Sequence, residues 1–141
     1  MKYQQIKEEG TEISYRVTDH GIRVAEFSYH MKDTEDTAKD GEGRFWLDGI
    51  RLFGQFAGYQ WMYAVLQFVC YKCWSTGAAA IYLKISWKNL YYMELYKKFG
   101  FYIIAEEMRE IQKGITICEY VMKYPLPQTR DEEYFHYIRG K

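Results

Sequence analysis

A short uncharged stretch, QFAGYQ (residues 55–60), joins an apolar strand-like run, FWLDGIRLF, to a helix-like run, WMYAVLQFVCYKCW. A glycine-containing turn that enters a helix can direct several backbone N–H groups at one point, with the positive end of the helix dipole behind them. Such a turn binds phosphate without Lys or Arg, and small residues such as Ala57 and Gly58 let an anion approach closely. The alternative is that Gly58 only permits a tight entry into the helix.

One carboxylate, Asp48, stands inside the apolar strand-like run. A charge in such a run needs a partner or a chemical role, so Asp48 is a candidate proton acceptor. Two rivals lie nearby in sequence: Glu42 just ahead of this run, and His30 at the end of the previous one. An imidazole changes its charge near neutral pH, which suits proton transfer. For each of these residues, a solvated loop or strand-end position is the structural alternative.

Three cysteines, Cys70, Cys73 and Cys118, neither pair evenly nor supply four metal ligands. Cys70 and Cys73 form a lone CxxC and would lie one helical turn apart, where small apolar residues usually pack. We therefore predict no metal site and a reducing, cytoplasmic location.

Composition limits the class of protein. The 141 residues suit one domain, and 48% hydrophobic residues supply an adequate core. Nineteen basic and 19 acidic residues cancel, so no whole-molecule field attracts nucleic acid or anionic lipid. The N-terminal MKYQQIKEEG lacks a signal-peptide pattern, and the apolar run at residues 61–69 is too short to span a membrane. Neither a nucleic-acid partner nor a membrane partner is predicted.

The first half of the chain reads as strands. ISYRV and IRVAEFSYH flank the turn signal DHG and predict an antiparallel hairpin over residues 12–30. The polar stretch KDTEDTAKDGEG predicts a solvated loop, and RFWLDGIRLF a third strand in which Gly49 marks a bulge or a close backbone approach.

A principal helix and a second, shorter one follow. Five apolar residues fall on one helical stripe, Met62, Val65, Leu66, Val69 and Cys73. This helix ends near Gly77, and AAIYLKIS then predicts a buried strand parallel to the third one, with the helix over one face of the sheet. A second helix over about residues 90–99 has Asn89 as N-cap and Gly100 as its stop, and a hairpin built from FYIIAEEM and ITICEYVMK follows.

Two motifs together resemble the GNAT superfamily of N-acetyltransferases. That family carries Q/R-x-x-G-x-G/A at a strand-loop-helix junction, and here Gln55 and Gly58 match while Gln60 replaces the small third residue. It also carries N-x-x-A-x-x-L-Y-x-K-x-G-F. Tyr92 replaces its small residue, and the matching residues are Asn89, Leu95, Tyr96, Lys98, Gly100 and Phe101.

The resemblance implies a mixed α/β (α+β) fold in a single GNAT-like domain over residues 1–127, followed by a C-terminal tail at 128–141. The implied central mixed sheet has antiparallel N-terminal strands, a central parallel pair splayed for CoA, and two main helices. Acetyl-CoA is the implied acyl donor. The residues implied to bind it are Ile50, Leu52, Gln55, Phe56, Ala57, Gly58, Tyr59, Gln60, Asn89 and Tyr96.

The implied reaction transfers the acetyl group to a primary amine. Resemblance places Tyr96 as the acid that protonates the leaving thiolate, and Asp48 remains the candidate base; an aromatic core position is the alternative for Tyr96, and a plain helix cap for Asn89. Aromatic residues also crowd the proposed cleft in sequence and can line it or fill the core: Trp46, Tyr59, Trp87, Tyr91 and Tyr92.

Two departures from the family pattern keep other functions open. Gln60 can crowd the pyrophosphate, and the two helices that usually line the acceptor site are replaced by strands and a polar loop. A partner subunit in a homodimer, the 33–43 loop or the tail would then supply the acceptor pocket. The alternative functions are a non-catalytic GNAT-like module that binds acetyl-CoA or a protein partner, and a small interaction domain without a cofactor.

Overall fold

The computed structural model describes residues 1–32 and 44–126. Its strands are β1 Lys2–Glu9, β2 Glu12–Asp19, β3 Ile22–Lys32, β4 Arg44–Leu52, β5 Ala80–Ser86, β6 Tyr102–Gln112 and β7 Ile115–Pro125. The helices are α1 Tyr59–Ser75 and α2 Leu90–Phe99, and a 3-10 turn, Gly54–Phe56, precedes α1. The seven strands in this part of the chain form one mixed sheet in the order β1-β2-β3-β4-β5-β7-β6. The predicted fold class is confirmed.

The N-terminal strands form an antiparallel meander. The predicted hairpin is present as β2 and β3, but β1 was not predicted, because KYQQIKEE has few apolar residues and no clear alternation. β1 is an edge strand that pairs with β2. Its Tyr3 ring stacks on Phe68 of α1 with 4.0 Å between centroids, and the Tyr3 hydroxyl donates to the Ala64 carbonyl. Tertiary packing therefore recruits a segment that lacks a strand-like pattern.

Strands β4 and β5 form the predicted parallel pair. All five residues of the predicted helical stripe on α1 are buried, and α1 contacts both strands. The buried face of β5 also matches the prediction, since Ile81, Leu83 and Ile85 lie in the core. These contacts bury the apolar side of the sheet beneath α1. The space between β4 and β5 is therefore bordered by the backbones of those two strands.

A β-bulge interrupts β4 at Asp48 and Gly49. Leu47 lies opposite Tyr29 and Ile50 opposite Phe27, so two β4 residues oppose the single residue between those partners on β3. Gly49 has φ of 108°, in a region that favours glycine. Of the two alternatives for Gly49, a bulge or a close backbone approach, the structure shows the bulge. An extra residue bends the strand that carries it, and β4 pairs with β5 only before this point.

The C-terminal elements follow the predicted order. α2 spans the predicted residues, and Gly100 ends it at φ of 129°, where a Cβ would meet the Tyr124 ring. Strands β6 and β7 form the predicted hairpin, with β6 at the edge of the sheet and every β6 residue exposed. Its register shifts twice, between Ile103 and Ala105 and between Glu110 and Gln112.

The CxxC pair packs inside the core. Cys70 and Cys73 are 1% and 0% exposed, and burial raises the pKa of Cys70 to about 12. The thiol therefore keeps its proton at neutral pH, as an inert packing group does.

Neither helix found within residues 1–32 and 44–126 has the length and apolar character needed to span a membrane. In the same residues, no group of three or more His, Cys, Asp or Glu side chains could hold a metal ion.

Three sequence expectations lie outside the described residues. They are the candidate base Glu42, the polar loop over residues 33–43 and the tail over residues 128–141.

Candidate functional site

The parallel pairing of β4 and β5 is short. It runs from Phe45 opposite Ile81 to Leu47 opposite Leu83, and beyond that point the two strands separate. The space that opens, here called the β4–β5 gap, holds a cavity of about 290 Å³. Its lining includes Asp48, Gly49, Ile50, Arg51, Ile85, Ser86, Asn89, Tyr92 and Tyr96. The gap therefore brings four of the predicted site residues together: Asp48, Ile50, Asn89 and Tyr96.

Tyr96 reaches into the gap from the core. Its side chain is 2% exposed and its hydroxyl accepts a hydrogen bond of 3.0 Å from the Ile50 N–H. Burial raises the pKa of Tyr96, while the Ile50 N–H, which favours the phenolate, opposes that shift. The phenol is consequently neutral at physiological pH and keeps its own proton for donation. Tyr96 is thus both a core residue and a polar group at the gap.

Tyr92, one turn earlier on α2, makes a parallel contact. Its hydroxyl accepts a hydrogen bond of 3.1 Å from the Leu52 N–H. The hydroxyls of Tyr96 and Tyr92 therefore accept hydrogen bonds from alternate N–H groups of β4, in the part of that strand that no longer pairs with β5. In a parallel sheet those donors would bond to carbonyl groups of the neighbouring strand. Sequence reasoning placed Ile50 and Leu52 at the site but did not foresee that side-chain hydroxyls occupy their N–H groups.

Asp48 and His30, which the sequence offered as rival bases, are hydrogen-bonded to each other. Nδ1 of His30 lies 3.1 Å from the Asp48 carboxylate, whose side chain is 37% exposed. Asp48 also borders two further cavities. One, of about 330 Å³, is lined partly by His30, Trp46 and Lys84, and the other, of about 240 Å³, by Ser14 and Ser28 among others. The bulge thus leaves Asp48 where all three cavities meet.

The segment between β4 and α1, residues 53–58, is here called the entry loop. The Phe53 N–H donates to the Val24 carbonyl at 3.0 Å, and the Phe56 N–H donates to the Phe53 carbonyl at 2.9 Å. The side chain of Phe56 is buried against Trp61. These contacts fix the loop to the core. The Phe56 side chain is therefore unavailable to a ligand, although the backbone of this residue can still face one.

The N-terminus of α1 leaves donors unused. Its first hydrogen bonds run from the N–H groups of Trp61 and Met62 to the Gly58 carbonyl. Among the described residues, the N–H groups of Gly58, Tyr59 and Gln60 have no partner, as expected at the first turn of a helix. No acidic side chain lies in this turn, and a Cβ on Gly58 would meet nothing within 4 Å. Space and donors for an anion are therefore both present.

The remaining predicted site residues are divided between surface and gap. The side chains of Gln55 and Gln60 are exposed at the loop and at the start of α1. Asn89 makes no side-chain cap hydrogen bond, although it precedes α2, and it lines the gap. The Tyr59 ring lies beneath the Lys98 ammonium, 4.5 Å from its centroid. Ala57 is partly buried and lies within the entry loop.

Sequence reasoning missed two further features of the entry loop. Gly54 has φ of 49°, so the first turn after β4 needs a glycine there. Tyr91 donates a short hydrogen bond from its hydroxyl to the Ala57 carbonyl, which ties the loop to α2. The position of Gly54 directly after an apolar strand was a readable turn signal. No local pattern pointed to the Tyr91 contact, because it joins residues 34 positions apart.

Comparison with known proteins fits this geometry. Neither a family model nor a curated protein matches the sequence. Solved structures do match. The chain has the fold of the GNAT acetyltransferases.

One GNAT structure, an acetyltransferase from Streptococcus pneumoniae, has a TM-score of 0.62 at 16% identity, over 83% of this chain and 68% of that one. NAA60 from Arabidopsis thaliana, in complex with a bisubstrate analogue, has a TM-score of 0.66 at 15% identity, over 85% and 78%. The yncA protein from Salmonella typhimurium, with its cofactor acetyl-CoA, has a TM-score of 0.65 at 12% identity, over 85% and 68%. At these identities the likeness establishes the GNAT fold, and the chemistry has to be argued from the residues of this chain.

Proposed function

We propose that this protein transfers an acetyl group from acetyl-CoA to a primary amine. The observation that carries the proposal is the meeting of a neutral, buried phenol and a backbone N–H at the β4–β5 gap, where the Tyr96 hydroxyl and the Ile50 nitrogen are 3.0 Å apart. One group is a proton donor and the other a hydrogen-bond donor to developing negative charge. Breaking a thioester by attack of an amine needs both.

The cofactor would lie along two elements that are adjacent in sequence. Its pyrophosphate would accept hydrogen bonds from the unused N–H groups at Gly58, Tyr59 and Gln60, assisted by the α1 dipole. Its pantetheine arm, which carries two amide groups, would enter the β4–β5 gap in an extended form and pair with β4 near Ile50 and Leu52. Asn89, whose side chain makes no helix-cap hydrogen bond, lines the same gap.

The reaction begins with loss of a proton from the acceptor, because a primary amine is mostly an ammonium ion at neutral pH. Asp48, held by His30, would accept that proton. The free amine nitrogen then attacks the thioester carbonyl carbon, and the Ile50 N–H, once it leaves the Tyr96 hydroxyl, would donate to the carbonyl oxygen as that oxygen gains negative charge. When the carbon–sulfur bond breaks, the Tyr96 hydroxyl would protonate the departing sulfur, and the phenolate that remains would take up the proton that the amine nitrogen loses as it becomes an amide nitrogen. The products are an N-acetylated amine and CoA.

A second candidate is a non-catalytic module of the same fold. It is favoured by the two tyrosine hydroxyls, which already occupy the β4 donors that a pantetheine arm would use. The two candidates differ in turnover, so release of CoA in the presence of amines separates them.

The first experiment measures binding of acetyl-CoA to the purified protein by isothermal titration, followed by CoA release with a panel of primary amines. Gly58→Trp is the test variant, because φ of −81° at Gly58 suits any residue and the space before it is open, so the indole would block the anion site without straining the fold. We expect saturable binding that Gly58→Trp loses. Gly58→Ala, with its small side chain, is the matched control and should remain folded.

Binding with no CoA release from any amine would favour the module. Absence of acetyl-CoA binding by the folded native protein would overturn the acetyltransferase and leave only a module that binds a protein partner.

A further inference from the structure

The two tyrosine contacts at the β4–β5 gap are not equivalent. Tyr96 lies fully in the core, whereas Tyr92 is partly buried and occupies the position where the resembled motif has a small residue. Both hydroxyls accept from β4 N–H groups, at Ile50 and Leu52 respectively. Tyr92 therefore adds a bulky ring and a competing acceptor to a cavity of about 290 Å³.

A strand that loses its neighbour has backbone donors that must be satisfied in another way. An extended ligand with amide groups can satisfy them by adding to the open edge as a further strand would. On β4 beyond the bulge, the Leu52 N–H is one of the donors that such a ligand needs. It is already bonded to the Tyr92 hydroxyl. A ligand carbonyl can reach this nitrogen only if that hydroxyl moves away.

We propose that the Tyr92 hydroxyl competes with the pantetheine arm for the Leu52 N–H and so lowers affinity for acyl-CoA. This inference rests on the proposed function, because it assumes that the β4–β5 gap receives pantetheine. The competition is confined to the gap. It leaves the helix N-terminus at Gly58 free to bind the nucleotide end of the ligand at full strength.

This separation of the two ends defines the experiment. Acetyl-CoA spans the helix N-terminus and the gap, whereas adenosine 3′,5′-bisphosphate lacks pantetheine and reaches only the nucleotide end. Both are titrated calorimetrically into the native protein, Tyr92→Phe and a control, Tyr102→Phe. The control removes the hydroxyl of Tyr102 on β6, a residue that is 47% exposed. Thermal unfolding confirms that each variant is folded.

Tyr92→Phe removes the competing acceptor and keeps the ring. We expect its Kd for acetyl-CoA to fall about two- to tenfold, which is the range that one hydrogen bond typically supplies. Its Kd for adenosine 3′,5′-bisphosphate should match that of the native protein, and Tyr102→Phe should change neither value. A purely structural role for Tyr92 would not give tighter binding of the longer ligand alone.

Hydrogen exchange at the Leu52 amide supplies an independent readout. We expect this amide to be protected in the free native protein, to exchange faster in free Tyr92→Phe, and to regain protection when acetyl-CoA is added to the variant. Unchanged or weaker acetyl-CoA binding by Tyr92→Phe, with native binding intact, would overturn the competition but leave acetyl-CoA as the cofactor. If neither protein binds acetyl-CoA, the competition and the proposed cofactor both fail.

Discussion

The N-terminus of α1 and the β4 side of the β4–β5 gap lie close along the chain but differ in how their backbone donors are used. At the start of α1, the N–H groups of Gly58, Tyr59 and Gln60 have no partner among the described residues. In the gap, the Ile50 and Leu52 N–H groups are both bonded to tyrosine hydroxyls. The donors at the α1 N-terminus can bond to a ligand directly. Those in the gap must first lose their hydrogen bonds to the tyrosine hydroxyls. We therefore expect the affinity for the nucleotide end of acetyl-CoA and the affinity for its pantetheine arm to be controlled by separate elements.

Replacing Tyr96 by Phe should have the largest effect on the gap. Loss of the proton donor is expected to lower kcat about 100-fold, within the range usual for one acid or base group. Binding of adenosine 3′,5′-bisphosphate at the entry loop should stay unchanged. Turnover reports on the gap, and calorimetry with adenosine 3′,5′-bisphosphate reports on the nucleotide end of the site. Equal kcat in the variant would remove Tyr96 from the mechanism.

The pH profile adds a second test of Tyr96. Because burial raises the pKa of Tyr96, this phenol stays protonated above pH 10, near which an ordinary tyrosine ionises. In the native protein, Tyr96 should therefore remain a proton donor throughout the range from pH 7 to about 10. Loss of kcat between neutrality and pH 10, present in the native protein and absent in Tyr96→Phe, would show that Tyr96 ionises in this range and would contradict the raised pKa.

Replacing Asp48 by Asn tests the acceptor side of the gap. Asn keeps a hydrogen-bond partner for His30 but cannot accept a proton, so kcat should fall roughly 10- to 100-fold with little change in acetyl-CoA affinity. The defect should be smaller for an acceptor amine that is already mostly unprotonated at the assay pH. His30→Gln is the companion variant, and an equal loss with every acceptor, whatever its protonation, would argue against a base at Asp48.

Replacing Gly54 by Ala should have the smallest effect, and it alters only the entry loop. A Cβ there meets no other atom, so the cost is the left-handed backbone at φ of 49°, about 1 kcal/mol of unfolding free energy. Gly58→Ala, at φ of −81°, is the matched control and should unfold in urea at the native midpoint. Equal midpoints for both variants would show that the loop relaxes without strain.

Most of the fold could be predicted from local patterns. Helix α1, strand β5 and the glycine that ends α2 all follow from apolar spacing and turn residues, because burial and backbone freedom are local requirements. Strand β1 could not be predicted, since its Tyr3 ring acquires a partner only when α1 packs beside it.

For the candidate site, the sequence predicted residues, four of which line the β4–β5 gap, but not the bonds that they make. Asp48 and His30 were each conspicuous in the sequence, yet nothing local indicated that they meet. The hydroxyl contacts of Tyr92 and Tyr96 join residues 40 and 46 positions apart. Such contacts depend on where α2 comes to rest against β4, which single-residue patterns do not encode.

The edge strand β6 bears on how the protein behaves at high concentration. A long exposed strand at the end of a sheet can recruit the same strand of another molecule and seed fibrils. Here Glu106, Glu107, Arg109 and Glu110 interrupt the apolar residues of β6, and two register shifts in its pairing with β7 make the strand irregular. Charged side chains and bulges are the devices that keep such edges from pairing. Any redesign that neutralises these charges to crystallise or tether the protein therefore risks promoting edge-to-edge association of β6.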